Sequence, residues 1–257
     1  MRILFLGNSW LGWQIIDWLR AGGNEIVGLV LHPPRRRKYG AEILKSANLG
    51  ESCIFDGSEL QQESVREAIR QLRPDIGLSV LFGYILRQEF LDLLPHGCVN
   101  VHPAFLPFNR GAYPNVWSII EGTPAGVSIH YIDLGVDTGD IIAQSRVPIE
   151  PIDTGESLYH KLEQAAVELF KVTWPLIRTG QAPRISQHDQ QGTVHHLCDV
   201  GQIDEIDLAR TYTGKELIDL IRARTFSSYP SAYFRDGNRR IYVRLRLGYE
   251  DEPAKEA

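Results

Sequence analysis

Cysteine is scarce in this sequence, and the few cysteines are widely separated. The chain has three among 257 residues, namely Cys53, Cys98 and Cys198. An odd and sparse set fits neither a disulfide framework nor a zinc-binding motif. We therefore expect a protein of a reducing compartment, and we assign it to the cytoplasm.

Long hydrophobic runs are also missing. No run of about 18 apolar residues occurs, so the sequence predicts no transmembrane helix and no membrane partner. The opening residues, MRILFLGNSW, have one arginine before a strand-like segment. They lack the long apolar stretch and the small-residue cleavage site of a secretory signal peptide.

A strong excess of one charge is absent too. The net charge is −5, a mild value that disfavours broad binding of nucleic acid. One basic run, RRRK at residues 35–38, stands out against this background. A solvated loop accounts for it, and contact with phosphate groups is the alternative.

What the sequence does contain is a regular alternation of strand and helix patterns. Apolar segments predict strands at residues 2–7, 25–31, 76–82 and 98–102, and amphipathic segments predict helices at residues 11–21, 58–72 and 86–94. Such alternation predicts an α/β fold with a mostly parallel sheet. In these folds, ligands bind at the carboxyl ends of the strands.

The composition changes near residue 180. Beyond this point the chain begins with an irregular and polar connector. A helical pattern from residue 214 follows, and then two strand-like segments flank the turn RDGN at residues 235–238. We therefore predict a main domain over residues 1–180, and a connector, helix and β-hairpin over residues 181–257.

The stretch VNVHPAFLPFNRGAYPN, residues 99–115, carries the first candidate site. Asn100 and His102 point to the same face of a strand, because side chains alternate along strands, and Pro103 restricts the exit of the chain. Such a pair can donate hydrogen bonds to an oxyanion or move protons. The alternative is that both side chains bind loop carbonyls at a strand end.

The turn DLGVDTGD, residues 133–140, is the second candidate site. A hairpin turn with solvated acids is one interpretation. A calcium loop is another, although the spacing lacks the EF-hand ligand pattern. In the third interpretation, one aspartate lies beside His102, favours its charged imidazolium form and accepts a proton.

Other motifs give weak signals. GNSWLG at residues 7–12 does not match the dinucleotide-binding pattern, and no nucleophile-elbow motif is present. His195, His196, Cys198 and Asp199 lie too close together in the sequence for a tetrahedral zinc site. We predict that the protein needs no metal.

Read together, residues 99–144 resemble one family, the 10-formyltetrahydrofolate-dependent formyltransferases. The matching text is VNVHPAFLPFNRGAYPNVWSIIEGTPAGVSIHYIDLGVDTGDIIAQ. It contains N-x-H, a Leu-Pro segment with a glycine-containing loop, and a D-x-G-x-D-x-G turn in the family's order. The resemblance extends more weakly over residues 1–180. It implies a Rossmann-like formyltransferase domain with 10-formyltetrahydrofolate as cosubstrate.

The resemblance also implies roles for individual residues. Asn100, His102 and Asp137 match the catalytic positions, where Asn100 and protonated His102 stabilise an oxyanion. Asp137 keeps His102 charged and takes the proton of the attacking amine. The implied folate crevice consists of Leu81, Phe82, Gly83, Tyr84, Asp133, Leu134, Gly135 and Val136. Core packing is the alternative for the side chains of Leu81 and Phe82.

The resemblance leaves the acceptor amine open. The segment FNRGAYPN is most similar to nucleotide-sugar N-formyltransferases, so we expect an amino sugar on a nucleoside diphosphate, with dTDP favoured. The residues expected to contact this acceptor are Asn8, Ser9, Trp10, Arg110, Tyr113 and Asn115. A core position for Trp10 and a loop-holding role for Arg110 are equally open.

Two other functions stay open at this point. One is an enzyme similar to the methionyl-tRNA formyltransferases, which carry a larger C-terminal barrel domain than residues 181–257 allow. The other is a catalytically silent folate-binding protein on the same fold. We favour folate and a small nucleotide sugar as partners, without nucleic acid, and a homodimer formed through the C-terminal hairpin.

Overall fold

The computed structural model describes residues 1–187 and 192–251 of the chain. These residues form two compact units, each assembled from separate segments. The sheet unit contains Met1–His102, Val127–Ser145 and the described residues from Gln164 onward to residue 187. The second unit contains Pro103–Gly126, Arg146–Glu163 and the described residues from 192 onward. The division at residue 180 was inferred from composition and remains a prediction.

The strands in chain order are β1 Arg2–Gly7, β2 Glu25–Leu31, β3 Ile54–Asp56, β4 Ile76–Val80, β5 Cys98–His102, β6 Arg110–Gly111, β7 Gly126–Tyr131, β8 Ile141–Arg146, β9 Val194–His195, β10 Tyr233–Asp236 and β11 Arg239–Tyr242. The helices are α1 Ser9–Ala21, α2 Gly40–Ala47, α3 Glu63–Gln71, α4 Gln88–Leu91, α5 Pro114–Glu121, α6 Gly155–Arg178, α7 Asp199–Ile203 and α8 Gly214–Ala223. Short 3₁₀ turns cover Pro34–Arg36, Glu51–Cys53 and Gly57–Glu59.

A seven-stranded, mostly parallel sheet is the centre of the sheet unit. Its strand order is β3-β2-β1-β4-β5-β7-β8, in which β1 to β5 pair in parallel and β7 is antiparallel to β5. β1 and β4 are apolar and buried along nearly their whole length, as expected for strands covered by helices on both faces. The structure therefore confirms the predicted Rossmann-like α/β fold, with flanking helices and a small C-terminal hairpin.

Helix α1 shows why the flanking helices pack as they do. Leu11, Ile15, Ile16 and Leu19 are buried, and their spacing places them on one face of the helix. Burying each of these side chains stabilises the fold by about 2 kcal/mol. Gly22 follows the helix as its C-cap. Among the described residues, no helix combines the length and the apolar character needed to cross a membrane.

The second unit contains the predicted C-terminal helix and hairpin. Helix α8 begins at a capping box, in which Thr213 accepts the backbone N–H of Glu216 and the Glu216 carboxylate accepts the N–H of Thr213. Strands β10 and β11 form the antiparallel hairpin. A small apolar core of Ile206, Ile221 and Ala232 holds these elements together.

Three local predictions were wrong at their boundaries. Strand β4 ends at Val80 because Leu81 and Gly83 adopt positive φ values of 50° and 70° and turn the chain. The predicted helix at residues 86–94 is reduced to the single turn of α4, and that at residues 58–72 begins only at Glu63. Helix α2 follows the basic run and was not predicted.

Candidate active site

The end of β5 holds the first two residues of the site. Asn100 and His102 are two positions apart in this strand, so their side chains leave the same face of the sheet. His102 is buried and Asn100 is half-buried. Pro103 follows directly, which ends the strand at the edge where the parallel strands finish.

The turn after β7 brings a carboxylate to this pair. The Asp137 Oδ2 atom lies 3.5 Å from His102 Nε2, and its Oδ1 accepts a hydrogen bond from Asn100 Nδ2 at 3.4 Å. Asp137 adopts a left-handed backbone conformation with φ of 53°. The structure thus brings together the three residues predicted to be catalytic, with Asn100 and His102 beside the Asp137 carboxylate, while their catalytic roles remain a proposal.

A fourth residue, His130, joins the cluster and was missed from the sequence. It lies directly opposite Asn100 in the β5–β7 pair, and its Nε2 atom is 3.2 Å from Asn100 Nδ2 and 3.4 Å from Asp137 Oδ1. Its Nδ1 atom is 2.8 Å from the carbonyl oxygen of Tyr131. Because a carbonyl only accepts, Nδ1 carries a hydrogen. The available signal was a histidine within the apolar strand VSIHY.

This arrangement can perform acid–base chemistry on a polar group. It combines an amide donor, two imidazoles and one carboxylate at the edge of a parallel sheet, where ligands of such folds bind. An amide and an imidazolium stabilise developing negative charge, and a carboxylate accepts a proton. Within residues 1–187 and 192–251, no group of His, Cys, Asp or Glu side chains is arranged to hold a metal ion.

The turn that carries Asp137 is tightly constrained. Asp133 Oδ1 accepts hydrogen bonds from Gly135 N at 3.0 Å and from Thr138 Oγ1 at 2.6 Å. A Cβ atom at Gly139 would lie 1.9 Å from the carbonyl oxygen of Tyr131, so only glycine fits there. The turn is therefore an ordered structure held by side-chain bonds.

Two apolar side chains of this turn, Leu134 and Val136, are exposed at 63% and 40%. They belong to the predicted folate crevice. The other predicted stretch lies after β4, where Phe82 packs in the core and Ile85 is exposed at 75%. Ile85 lies next to the predicted stretch and was not chosen from the sequence. Exposed apolar side chains therefore occur at or beside both stretches predicted to bind folate.

The backbone of the stretch after β4 is held by His32. The His32 Nε2 atom forms a hydrogen bond with the carbonyl oxygen of Phe82, and its ring packs edge-on against the Phe82 and Tyr84 rings. Burial lowers the pKa of His32, so the neutral ring donates through Nε2. Leu81 and Gly83 keep their positive φ values beside this contact.

The predicted acceptor residues of the sheet unit are Asn8, Ser9 and Trp10. The Asn8 side chain accepts the N–H of Lys38 at 2.8 Å and donates to the carbonyl oxygen of Arg36 at 3.4 Å. The N–H of Ser9 donates to the Lys38 carbonyl oxygen at 3.0 Å. These bonds tie the end of β1 to the basic run. Trp10 is half-buried, so the structure gives it neither a core position nor a clear surface position.

The other predicted acceptor residues lie in the second unit. Asn115 is buried, and its Nδ2 atom donates to the carbonyl oxygen of Gly155 at 2.8 Å. Arg110 is also buried, and its backbone N–H bonds to Thr193 O at 2.9 Å. Tyr113 is half-buried with a φ of 56°. The side-chain bond gives Asn115 a role in holding the fold, whereas the bond of Arg110 is made by its backbone. The predicted substrate contacts of all three residues remain predictions.

Comparisons with known proteins identify the family of this chain. The family model described as formyl transferase matches residues 1–173, and the model described as N-formyltransferase dimerization C-terminal domain matches residues 199–249. A methionyl-tRNA formyltransferase from Geobacter sulfurreducens is 30% identical over 263 residues, which cover 99% of this chain and 81% of the relative.

Solved structures show the same similarity. A 4-N formyltransferase from Francisella tularensis is 26% identical with a TM-score of 0.81, and 96% of this chain and 98% of that chain are covered. The formyltransferase PseJ from Anoxybacillus kamchatkensis was solved in complex with UDP-4,6-dideoxy-4-formamido-L-AltNAc and tetrahydrofolate. It is 30% identical with a TM-score of 0.57, over 79% of this chain and 89% of that chain.

The fold and the family match define a formyl-transfer enzyme of the Rossmann-like class. This chain belongs to the formyl transferase family. The predicted resemblance is therefore confirmed at the level of the family.

Proposed function

We propose that this enzyme transfers the formyl group of 10-formyltetrahydrofolate to the amine of a nucleotide-linked amino sugar, with dTDP as the favoured nucleotide. The observation that carries the proposal is the convergence of Asn100 and His102 on Asp137. The carboxylate oxygens of Asp137 lie 3.4 Å from Asn100 Nδ2 and 3.5 Å from His102 Nε2. Formyl transfer to an amine needs an oxyanion stabiliser and a proton acceptor, and this cluster offers both.

In the proposed reaction the acceptor amine attacks the formyl carbon, and the carbonyl oxygen becomes an oxyanion. The Asn100 amide turns a hydrogen from Asp137 or His130 toward that oxygen, and protonated His102 donates a second hydrogen bond. Each such donor contributes roughly 3–4 kcal/mol to the transition state. Asp137 receives the proton of the amine, directly or through water. Collapse of the intermediate breaks the bond between the formyl carbon and the folate nitrogen. That nitrogen takes up the proton held by Asp137, directly or through water, and the products are the formamide and tetrahydrofolate.

The two candidate folate stretches support a flat, partly apolar cosubstrate. The exposed side chains of Ile85, Leu134 and Val136 provide apolar contact area, and both stretches are turns with left-handed residues. Pockets for small ligands are lined mainly by apolar side chains. Binding of tetrahydrofolate by the similar PseJ structure supports the same choice of cosubstrate.

The choice of acceptor rests on one similar solved structure and on the surface beside β1. The PseJ structure, 30% identical to this chain, contains a nucleotide-linked formamido sugar. In this chain, Asn8 and Ser9 are bonded to the backbone of the basic run, whose Arg35, Arg36 and Lys38 are exposed. Positive charge at the sheet edge suits the diphosphate of a nucleotide sugar.

A methionyl-tRNA acceptor is the second candidate, because the sequence relative described above is a methionyl-tRNA formyltransferase. The same basic run would then meet nucleic-acid phosphates. The two candidates differ in their response to salt, since contacts with many phosphates of RNA make affinity fall steeply as salt increases.

We also propose that the protein forms a homodimer through its C-terminal hairpin. The family model matched at residues 199–249 is described as a dimerization domain. Ile241 and Tyr242 of β11 are exposed at 41% and 54%, which leaves apolar surface on the hairpin. Light scattering after size-exclusion chromatography gives the mass in solution, and Ile241→Asp together with Tyr242→Asp should convert a dimer to a monomer.

The function is tested with a panel of acceptors. Purified enzyme is incubated with 10-formyltetrahydrofolate and, separately, dTDP-amino sugars, UDP-amino sugars and methionyl-tRNA. Mass spectrometry of each acceptor detects the added formyl group, and absorbance follows formation of tetrahydrofolate. We expect a formylated nucleotide sugar. Formylation of methionyl-tRNA alone would select the second candidate, and folate binding without any formylated acceptor would refute the enzyme assignment.

A further inference from the structure

The segment after helix α6 contains a contact that the proposed chemistry does not use. Ile185 forms an isolated antiparallel bridge with Ile141 at the start of β8, with N–O distances of 2.8 Å and 2.9 Å. The sequence pattern in this region indicated only an irregular polar connector. Because the bridge aligns residue 185 with residue 141, residue 187 comes beside residue 139 of the catalytic turn.

Gln187 uses its side-chain amide at that position. Its Nε2 atom donates to the carbonyl oxygen of Gly139 at 2.7 Å and to the carbonyl oxygen of Asp137 at 2.9 Å. The residue is 9% exposed, which is unusual for a glutamine. An amide nitrogen has two hydrogens, so both are directed at the backbone of this turn.

The two carbonyls belong to the part of the turn with the most restricted backbone. Asp137 is left-handed at a φ of 53°, a conformation that aspartate adopts at some cost, and Gly139 is packed against Tyr131 with no space for a side chain. Asp133 fixes the first half of the turn from within. Gln187 fixes the second half from outside the turn.

We propose that Gln187 is a positioning residue that holds the Asp137 carboxylate at its distance from Asn100 and His102. It acts through the backbone of the turn, at the carbonyl oxygens of Asp137 and Gly139. The inference rests on the proposed function, in which Asp137 accepts the proton of the amine. A shift of about 1 Å in a catalytic group can slow a reaction about a hundredfold. Loss of the two hydrogen bonds from Gln187 should therefore lower kcat by a measurable amount.

A double-mutant cycle tests whether Gln187 acts through Asp137. We expect Gln187→Ala and Gln187→Glu to lower kcat about 10- to 100-fold with little change in the KM of the acceptor. In an Asp137→Asn background, Gln187→Ala should change kcat by less than about twofold, because the carboxylate it positions is gone. Equal losses in both backgrounds would show a general structural role and overturn the inference.

The matched control is Gln181, an exposed glutamine of the same segment. Gln181→Ala and Gln181→Glu make the same chemical changes without a contact to the turn, and we expect normal kcat for both. A loss of kcat in these variants equal to that of the Gln187 variants would count against a specific role.

A measurement without any acceptor separates this inference from the proposed function. Hydrogen–deuterium exchange of peptides covering residues 133–141 reports the order of the turn. Loss of the two hydrogen bonds in Gln187→Ala should speed exchange there at least about fivefold relative to Gln181→Ala. Unchanged exchange in Gln187→Ala would show that Gln187 does not hold the turn, and this would refute the inference whatever the acceptor is. Faster exchange in an enzyme that is inactive on amino sugars would support the inference and refute only the proposed function.

Discussion

Asn100 and His130 face each other across the antiparallel β5–β7 pair, with Asn100 Nδ2 3.2 Å from His130 Nε2. The Nδ1 atom of His130 is bound to the Tyr131 carbonyl oxygen, which fixes the orientation of the ring. The opposed imidazole therefore sets the plane of the Asn100 amide. A donor that is already oriented stabilises a new oxyanion without reorganisation at the moment of reaction.

His130 should consequently matter for turnover although its ring is buried. We expect His130→Ala to lower kcat about tenfold to a hundredfold, because the Asn100 amide loses the partner that orients it. His130→Asn restores a polar side chain and should recover part of the rate. Steady-state kinetics with the best acceptor of the panel provide the measurement. The control is His160→Ala, at a histidine whose side chain is 62% exposed. Equal kcat values for His130→Ala and His160→Ala would contradict the role of His130 in orienting Asn100.

Replacement of the imidazole or the carboxylate should separate chemistry from folate binding. We expect His102→Ala and Asp137→Ala each to slow turnover at least about a hundredfold, with folate affinity within about twofold of the original, since neither side chain is proposed to hold the pterin. Calorimetry measures the binding of folate and single-turnover assays measure the chemistry. Asp140→Asn is the matched control, because Asp140 belongs to the same turn and its carboxylate lies 3.6 Å from Arg184 instead. Near-normal turnover in either alanine variant would refute that residue's role.

The sequence was sufficient for the sheet and for the positions of Asn100, His102 and Asp137. Continuous apolar runs in the sequence identify buried parallel strands. Side chains alternate between the two faces of a strand, which puts Asn100 and His102 on one face. The resemblance to formyltransferases supplied the third position.

His130 and Gln187 could not be found in this way, because each depends on pairing between distant segments. The register between β5 and β7 and the bridge between Ile141 and Ile185 leave no local pattern. The ends of elements were also hard to predict. Helix α4 begins only at Gln88, after a turn that contains the left-handed residues Leu81 and Gly83, and hydrophobic spacing does not report such turns.

Close packing of the catalytic turn predicts that Gly139 cannot be replaced. A Cβ atom there would lie 1.9 Å from Tyr131 O, so Gly139→Ala must displace the turn and with it Asp137. We expect kcat to fall at least about tenfold and the unfolding temperature to drop. Gly201→Ala is the control, since nothing lies within 4 Å of a Cβ at this position of α7. The Gly201→Ala variant should keep normal activity. Kinetic assays measure kcat, and thermal denaturation measures the unfolding temperature, for both variants.

We expect the unfolding free energy of the second unit to fall in acid, because Asp219 of α8 becomes protonated. Burial raises the pKa of this carboxyl, but ion pairs with Lys215 and Arg222 outweigh burial, and the folded-state pKa is lowered. A lowered pKa means that Asp219 stabilises the fold above the pKa of the unfolded chain, about 3.9, and that this stability is lost as the pH falls through the folded value. The Arg222 side chain also donates to the carbonyl oxygens of Glu150 and Asp153, so it is held in place when the pair is broken.

Asp219→Asn tests this dependence. At pH 7 the variant should be less stable by about 2 kcal/mol, since a buried charged hydrogen bond to Arg222 is lost. As the pH falls below about 4, the difference in unfolding free energy between the two proteins should shrink, because the Asp219 carboxyl becomes protonated and loses its charge. Denaturant unfolding from pH 7 to pH 3 measures the gap. Asp236→Asn, which removes an exposed carboxylate of the hairpin, is the control for a change of net charge. A gap that stays constant over this range would mean that the Asp219–Arg222 pair does not set the acid sensitivity of the unit.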